Sequence, residues 1–501
     1  MFCVALLLTV LQDVVLSKPN IIFILVDDYG FNDIGYHGSE IRTPNLDRLA
    51  NEGVKLENYY VQPICTPTRS CLLSGRYQIR TGMQHGNIQP SKPTALPTDS
   101  LTIADKIQQA GYSTHCIGKW HLGFYKNEFL PTRRGFDTFY GFLVGSKSHY
   151  HHRRCDRGMC GDDFRENERQ IRTNREYSTT LFSRRAVDII DSHQSSKINT
   201  VLHYFFLCHP QPLFMYVPYQ APHSPLQAPK RYIHPYKNTI PDIHRRQYAG
   251  MVSALDEGVG NITRALKRKG LWENTIFIFS TDNGGQISRG GNNYPLRGNK
   301  GGNFEGGIRG VGFVCGGQVR NKGTVSRELM HVTDWFPTLV NQAQGNFEGV
   351  KPLDGFDQWD AISGREKSPR EVILHGIDPL ARRFGRPLFN SSFDTTKHAA
   401  IRYKDYKLLT GKPGYKNYNP NPRTGLARTT PKDSRKKNVW LFNIRDDPLE
   451  TTDLSASRPQ IVKEMLDMLA EYDKSSVPVR FPGSDPQANP ELRGGFWGPW
   501  R

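Results

Sequence analysis

This chain predicts an α/β fold: a large, mostly parallel (mixed) sheet flanked by helices, followed by a smaller C-terminal α+β domain with a short antiparallel sheet. Three observations predict it. Asn20–Val26 and residues 275–280 are short apolar runs rich in β-branched and aromatic residues, the pattern of strands buried on both faces. Amphipathic helical segments alternate with such runs, as a parallel sheet requires. Three runs also stop abruptly in polar clusters, Asp27-Asp28, Lys119-Trp120-His121 and Asp282-Asn283. In open α/β sheets, ligands collect at such carboxyl ends.

The elements follow in order. The first strand is Asn20–Val26. A helix starts near Pro44, with Thr43 as its cap and proline in its first turn, and Gly53 ends it. Residues 54–61 read as one strand. Residues 101–110 read as a helix begun by Ser100 and stopped by Gly111, and 112–117 as a strand closing on Gly118. Tyr248, Met251, Val252, Leu255, Val259, Ile262 and Leu266 recur at helical spacing before the cationic end Lys267-Arg268-Lys269. After about residue 370 the pattern changes. Residues 399–409 and Val439–Asn443 read as strands separated by a polar loop over 411–437, and 461–472 as an amphipathic helix begun near Pro459. The expected organisation is a signal peptide over 1–17, a catalytic α/β domain over 18–370 and the smaller domain over 371–501. The apolar stretch 201–208, inside the segment 192–212, has no place in this strand order; it reads as an added surface element or as unspliced sequence.

Lysine and arginine total 66 against 48 acidic residues, a formal charge of +18. That balance suits a polyanionic partner. The basic residues are scattered and no nucleic-acid module is present, which argues against nucleic acid. Residues 2–16 are apolar but too short to cross a bilayer, and no other segment is long and apolar enough. Asn261-Ile-Thr and Asn390-Ser-Ser are glycosylation acceptors for a chain in the secretory pathway. A lysosomal or secreted protein is expected. Among eight cysteines there is no C-x-x-C spacing, so no structural zinc site is expected. Cys155 and Cys160 are close enough for a small disulfide loop, while Cys71, Cys116, Cys208 and Cys315 lie in apolar contexts that suit buried thiols.

Asp27, Asp28, Asp282 and Asn283 offer three carboxylates and an amide carbonyl. These are hard oxygen ligands that suit Ca²⁺ or Mg²⁺ and suit zinc or copper poorly. Each pair alone is a common turn sequence; together, at the ends of two buried strands, they point to a metal site.

Residues 65–76, Cys-Thr-Pro-Thr-Arg-Ser-Cys-Leu-Leu-Ser-Gly-Arg, hold the pattern C-x-P-x-R with an apolar helical extension and a Gly-Arg end. With Gly111-Tyr-Ser-Thr-His-Cys-Ile-Gly-Lys-Trp-His121, they make the chain resemble the type I sulfatase family of the alkaline phosphatase superfamily, over about residues 19–501. In that family such a cysteine is converted to formylglycine. A hydrated aldehyde has two hydroxyls on one carbon: one displaces the alcohol from sulfur, and the other collapses to the carbonyl and expels sulfate. A serine would have no such exit.

The resemblance implies that Cys65, as 3-oxoalanine, joins Asp27, Asp28, Asp282 and Asn283 around calcium, which would orient sulfate and polarise the diol. It implies that Arg69 holds the diol and metal, that Lys119 binds a sulfate oxygen and that His121 is the base of the elimination. His223 and Lys300 would bind sulfate, and either could protonate the departing alcohol. Together the basic groups and the dication would clamp the charge of the transition state.

Within the family, the stretches 75–85, 131–139, 290–297 and 305–313 most resemble the arylsulfatase B branch, the N-acetylgalactosamine-4-sulfatases and their paralogues. The implied reaction is removal of the 4-sulfate of N-acetylgalactosamine in dermatan or chondroitin sulfate, a sulfated glycosaminoglycan substrate in keeping with the charge. A formylglycine-generating enzyme is the implied partner during biosynthesis. The alternatives are a sulfatase of another specificity, a phosphodiester or phosphonate hydrolase of the same superfamily, or a noncatalytic glycosaminoglycan-binding protein.

Overall fold

A computed structural model of the chain describes residues 18–193, 211–431 and 436–501. The segment 1–17 expected as a signal peptide, Cys208 and the apolar stretch 201–208 lie outside the described residues.

The strands, in chain order, are β1 (Asn20–Val26), β2 (Val54–Leu56), β3 (Tyr59–Tyr60), β4 (Ser113–Lys119), β5 (Thr138–Phe142), β6 (Arg153–Asp156), β7 (Met159–Asp162), β8 (Arg165–Glu166), β9 (Arg169–Gln170), β10 (Leu213–Pro218), β11 (Thr275–Thr281), β12 (Gly312–Cys315), β13 (Thr324–Ser326), β14 (Met330–His331), β15 (Val372–Asp378), β16 (His398–Tyr403), β17 (Tyr406–Thr410) and β18 (Val439–Asn443). Ten of them form one sheet in the order β13-β2-β12-β11-β1-β10-β4-β5-β8-β9. Its centre is parallel: β11, β1, β10, β4 and β5 run together. Next to β11 and β5 the direction reverses, at β12 and β8. The large mixed sheet expected from the apolar runs is therefore present, and its central strands are buried along their whole length. Helices Ser178–Ser192 and Ile243–Arg268 belong to the helical layers that cover it. The second helix turns Tyr248, Leu255, Val259, Ile262 and Leu266 into the core.

β15 to β18 form the short antiparallel sheet. Helix Pro459–Lys474 packs on it through Val462, Met465, Leu466 and Leu469, and Tyr77 and Ile79 from the first part of the chain complete that core. The chain's end leaves this layer: Trp497 is buried in the core of the large sheet, and its indole N–H donates to the Arg154 carbonyl at 3.0 Å.

Four local expectations are corrected. Residues 54–61 are two strands, because Asn58 turns away to accept from Met330 N at 3.0 Å, which sends β3 to pair with β14. Residues 399–409 are a hairpin, reversed at Lys404 (φ 52°). The helix after Ser100 starts at Ile103 and its cap is Thr102, whose hydroxyl accepts from Asp105 N. Thr43 precedes the helix at Pro44 but does not cap it; its hydroxyl donates to the Asp47 carboxylate instead.

Candidate active site

Four parallel strands deliver the site from their carboxyl ends. β1 ends at Asp27-Asp28 and β11 at Asp282-Asn283, adjacent strands with Val26 opposite Thr281. β4 carries Lys119 at its last position and His121 two residues on. β10 leads into the loop that holds His223. β10 was not legible in the sequence because its short apolar run is bracketed by Pro212 and Pro218, residues that read as loop.

Cys65 opens the helix Cys65–Ser74, every residue of which is buried. Pro67 sits in its first turn, where a missing N–H costs nothing. Gly75 ends it in the left-handed conformation (φ 65°), its N–H donating to the Cys71 carbonyl at 2.9 Å. The four-residue spacing puts Arg69 on the same face as Cys65. The Cys65 thiol donates to Asp27 Oδ1 at 3.3 Å. Arg69 Nη2 lies 2.8 Å from Asp282 Oδ2 and 3.6 Å from Asp27 Oδ2, and its Nη1 donates to the Lys119 carbonyl at 3.1 Å. Thr68 ties the helix to the strand end through the Asp282 carbonyl.

Three basic groups close the arrangement. Lys119 Nζ meets Asp27 Oδ2 at 2.5 Å, Lys300 Nζ meets Asp28 Oδ1 at 2.6 Å, and His223 Nε2 stands 3.6 Å from Asp28 Oδ2. Burial works against the charge of Lys300, but the Asp28 carboxylate beside it raises its pKa above the usual lysine value. Burial, with Asp27 beside it, raises Asp282 to about 7 against the pull of Arg69. Asp27 goes the other way: despite burial, Lys119, His223 and Arg69 hold it low. The carboxylates thus crowd one another in a dry site.

His121 is buried, and burial holds its imidazole well below the usual histidine pKa. Its Nε2 faces the Ile88 carbonyl at 3.1 Å. A carbonyl only accepts, so Nε2 carries the proton and Nδ1 presents a lone pair, buried and without a partner. Asp28 (φ 60°) and His121 (φ 57°) both sit in the left-handed region, strain of the kind that gathers at functional sites.

The donor set fits a hard dication. Asp27, Asp28, Cys65 and His223 place ligand atoms within 4.8 Å of one another. Asp28 N donates to Asp282 Oδ1 and Asn283 Nδ2 to Asp28 Oδ1, so Asp282 and Asn283 join the same cluster. The Asn283 carbonyl oxygen is buried with no hydrogen-bond partner, an oxygen still owed a ligand.

A layer behind these groups was not legible in the sequence. His149 Nε2 reaches the His223 carbonyl at 3.1 Å and Gln220 Nε2 at 3.1 Å. Gln220 also donates to the Lys147 carbonyl at 2.7 Å. The buried Lys147 ammonium lies over the rings of Phe142 and Phe164 and donates to Ser178 Oγ. Burial lowers its pKa to about 7. The run 146–154 is rich in histidine and arginine but has no periodicity, so nothing in the sequence separates it from an exposed basic loop.

Of the other singled-out residues, Cys155 and Cys160 are bonded across the β6–β7 hairpin. Cys71, Cys116 and Cys315 are buried thiols. Asn390 lies on an exposed loop. Asn261 is half-buried on helix Ile243–Arg268, its amide oxygen accepting from Arg264 at 2.6 Å. No helix among the described residues is long and apolar enough to cross a membrane.

The fold is that of enzymes that hydrolyse sulfate esters, and the chain belongs to the sulfatase family, whose model matches residues 19–345. It is 50% identical over 499 residues to arylsulfatase J of Mus musculus, covering 97% of this chain and 80% of that protein. N-acetylgalactosamine-6-sulfatase of Homo sapiens is 27% identical over 493 residues, covering 93% and 87%. The crystal structure of Ps i-CgsB in complex with k-i-k-neocarrahexaose is similar with a TM-score of 0.76 at 28% identity, over 95% of this chain and 98% of that one.

Proposed function

We propose that this sulfatase removes sulfate from a sulfated sugar, with formylglycine made from Cys65 as nucleophile and Ca²⁺ or Mg²⁺ bound by Asp27, Asp28, Asp282, Asn283 and position 65. One observation carries the reading: the Cys65 side chain, at a helix N-terminus, touches the Asp27 carboxylate inside a ring of Arg69, Lys119, Lys300, His121 and His223. When bound, the cation would polarise the nucleophile and balance charge on the sulfate oxygens.

The chain's own residues supply the rest. Lys119, Lys300 and His223 face the nonbridging sulfate oxygens. Their ammonium and imidazole groups are already positioned by Asp27 and Asp28, so little reorganisation precedes reaction. His121, neutral with Nδ1 free, takes the proton of the second hydroxyl as sulfate is released. Lys300 or His223 gives a proton to the leaving alcohol. Arg69 holds Asp282 and Asp27 in place from one turn below the nucleophile.

The +18 charge and the sugar named for the N-acetylgalactosamine-6-sulfatase relative support a glycosaminoglycan substrate. The 4-sulfate of N-acetylgalactosamine in dermatan or chondroitin sulfate is the linkage we assign. Similarity to an arylsulfatase J, whose name specifies no sugar, favours another sulfate position as the second reading. A chain acting there would pass through the endoplasmic reticulum, meet the formylglycine-generating enzyme and be delivered to lysosomes or secreted.

Purified protein assayed on 4-nitrophenyl sulfate, bis(4-nitrophenyl) phosphate and defined sulfated disaccharides tests this. Sulfate-ester turnover is expected, with the 4-sulfated galactosamine preferred; preference for the phosphodiester overturns the reading. Mass spectrometry of the peptide spanning position 65 should show the aldehyde, and an unmodified thiol in all material supports a binding protein instead. Millimolar Ca²⁺ should raise the thermal midpoint of chelator-treated protein, and no shift removes the metal from the scheme.

A further inference from the structure

The site opens into a cavity of about 570 Å³ whose floor includes His121 and His223, a size that holds more than a sulfate group. Its rim carries Arg153, Arg154 and Arg289, and no aspartate or glutamate lines it. Arg289 has no carboxylate within ion-pair distance among the described residues, and nor does Arg154. Arg154 Nη1 donates to Ser146 Oγ at 3.0 Å, while its buried Nε has no partner. Arg153 is matched only by Asp162, at 3.6 Å, so this face of the cavity carries net positive charge that a ligand anion would balance.

The arginines also stand on a rigid base. Arg153 and Arg154 belong to β6, paired with β7 and closed by the Cys155–Cys160 disulfide. The chain terminus pins this hairpin, since Asp162 N donates to the Gly495 carbonyl at 2.8 Å and the Trp497 indole to the Arg154 carbonyl. Little order is then lost when a ligand binds. Arg153 also lines a second cavity, with Arg172, Arg175 and its ion-pair partner Asp162.

We propose that Arg153 and Arg154, with Arg289 opposite, form a second anion subsite that takes the carboxylate or sulfate of the sugar next to the one being desulfated, so that the preferred substrate is a polyanionic oligosaccharide and not a monosulfated sugar. The inference rests on the sulfatase reading and deepens it.

Binding separates the two. In a Cys65→Ala background, which holds substrate without turnover, titration calorimetry with dermatan sulfate and heparan sulfate tetrasaccharides is compared with N-acetylgalactosamine 4-sulfate alone. A tetrasaccharide should bind at least tenfold more tightly than the monosaccharide. Arg153→Ala/Arg154→Ala should lose about tenfold of that affinity and flatten its salt dependence. Carboxyl-reduced and selectively desulfated tetrasaccharides then identify which anion the arginines hold: the one whose removal weakens the parent but not the double variant. Equal affinity of parent and double variant overturns the subsite, as does equal affinity for monosaccharide and tetrasaccharides. Failure of the unsubstituted protein to turn over any sulfate ester would instead sink the sulfatase reading, and the binding comparison still decides the subsite. Arg153→Gln/Arg154→Gln, which keeps the side chains' length, repeats the test if the alanine variant is unstable.

Discussion

Lys300 holds its ammonium 2.6 Å from Asp28 in a nearly dry pocket, and His223 approaches the same carboxylate from the other side. Both groups are aimed before substrate arrives. Groups placed this way typically contribute two to three orders of magnitude to the chemical step, about 2.7–4 kcal/mol. Lys300→Ala and His223→Ala should therefore each lower kcat on 4-nitrophenyl sulfate by roughly 10²–10³-fold, and a near-normal rate would remove the residue from the clamp. The same scale shows what a sequence can reveal. Asp27, Asp28, Asp282 and Asn283 were legible because a polar pair that truncates an apolar strand is conspicuous. His223 was not, since a histidine in a proline-rich loop has no pattern of its own, and only the family resemblance singled it out. Thr68, His149 and Gln220 were invisible: their hydrogen bonds cross 214, 74 and 73 residues of chain.

At the level of elements, β4 and β10 lie so close that a side-chain atom has no room at Gly118. Its φ is 135°, and an added Cβ would sit 2.0 Å from the Pro218 carbonyl oxygen. Gly118→Ala should force the strands apart and strain the backbone just before Lys119 and His121, at a cost of several kcal/mol. The expected outcome is a lower midpoint of urea denaturation together with lost turnover, and an unchanged midpoint would contradict the packing. The strands that the sequence revealed are those with long uninterrupted apolar runs, β1 and β11, and the helix it revealed best is the 26-residue Ile243–Arg268. Two-residue strands such as β3, β8 and β9 are shorter than any periodicity. The reversal at Lys404 escaped notice because no glycine marks it, and the break at Asn58 is set by β14, some 270 residues away in sequence.

Across the whole molecule, the large and small sheets are joined by a buried charge cluster. Lys407 of β17 lies 2.6 Å from Glu305 and 2.7 Å from Glu450, and Glu450 also accepts from Glu305 N at 2.7 Å. Burial raises both carboxyls and Lys407 pulls both down; the result leaves Glu450 high, at about 7, and Glu305 low. The folded protein thus keeps a proton on Glu450 that the unfolded chain releases near the ordinary glutamate value of 4.5. Between pH 4.5 and 7 the unfolded state binds fewer protons, so this group's contribution to stability falls as pH rises. Glu450→Gln cannot ionise. Its midpoint of unfolding relative to the parent should rise steadily from pH 5 to pH 7, and parallel curves for the two proteins would refute the linkage.

The burial of position 65 sets an order of events in the cell. In the finished fold its side chain has no accessible surface, and the whole helix that follows is equally enclosed. An enzyme that has to take the peptide around this thiol into its own active site can therefore do so only while the polypeptide is still emerging or unfolded, because the flanking helix is buried. Protein recovered from a host without such a catalyst should stay inert however long it is later incubated with one, unless it is first denatured and refolded in its presence.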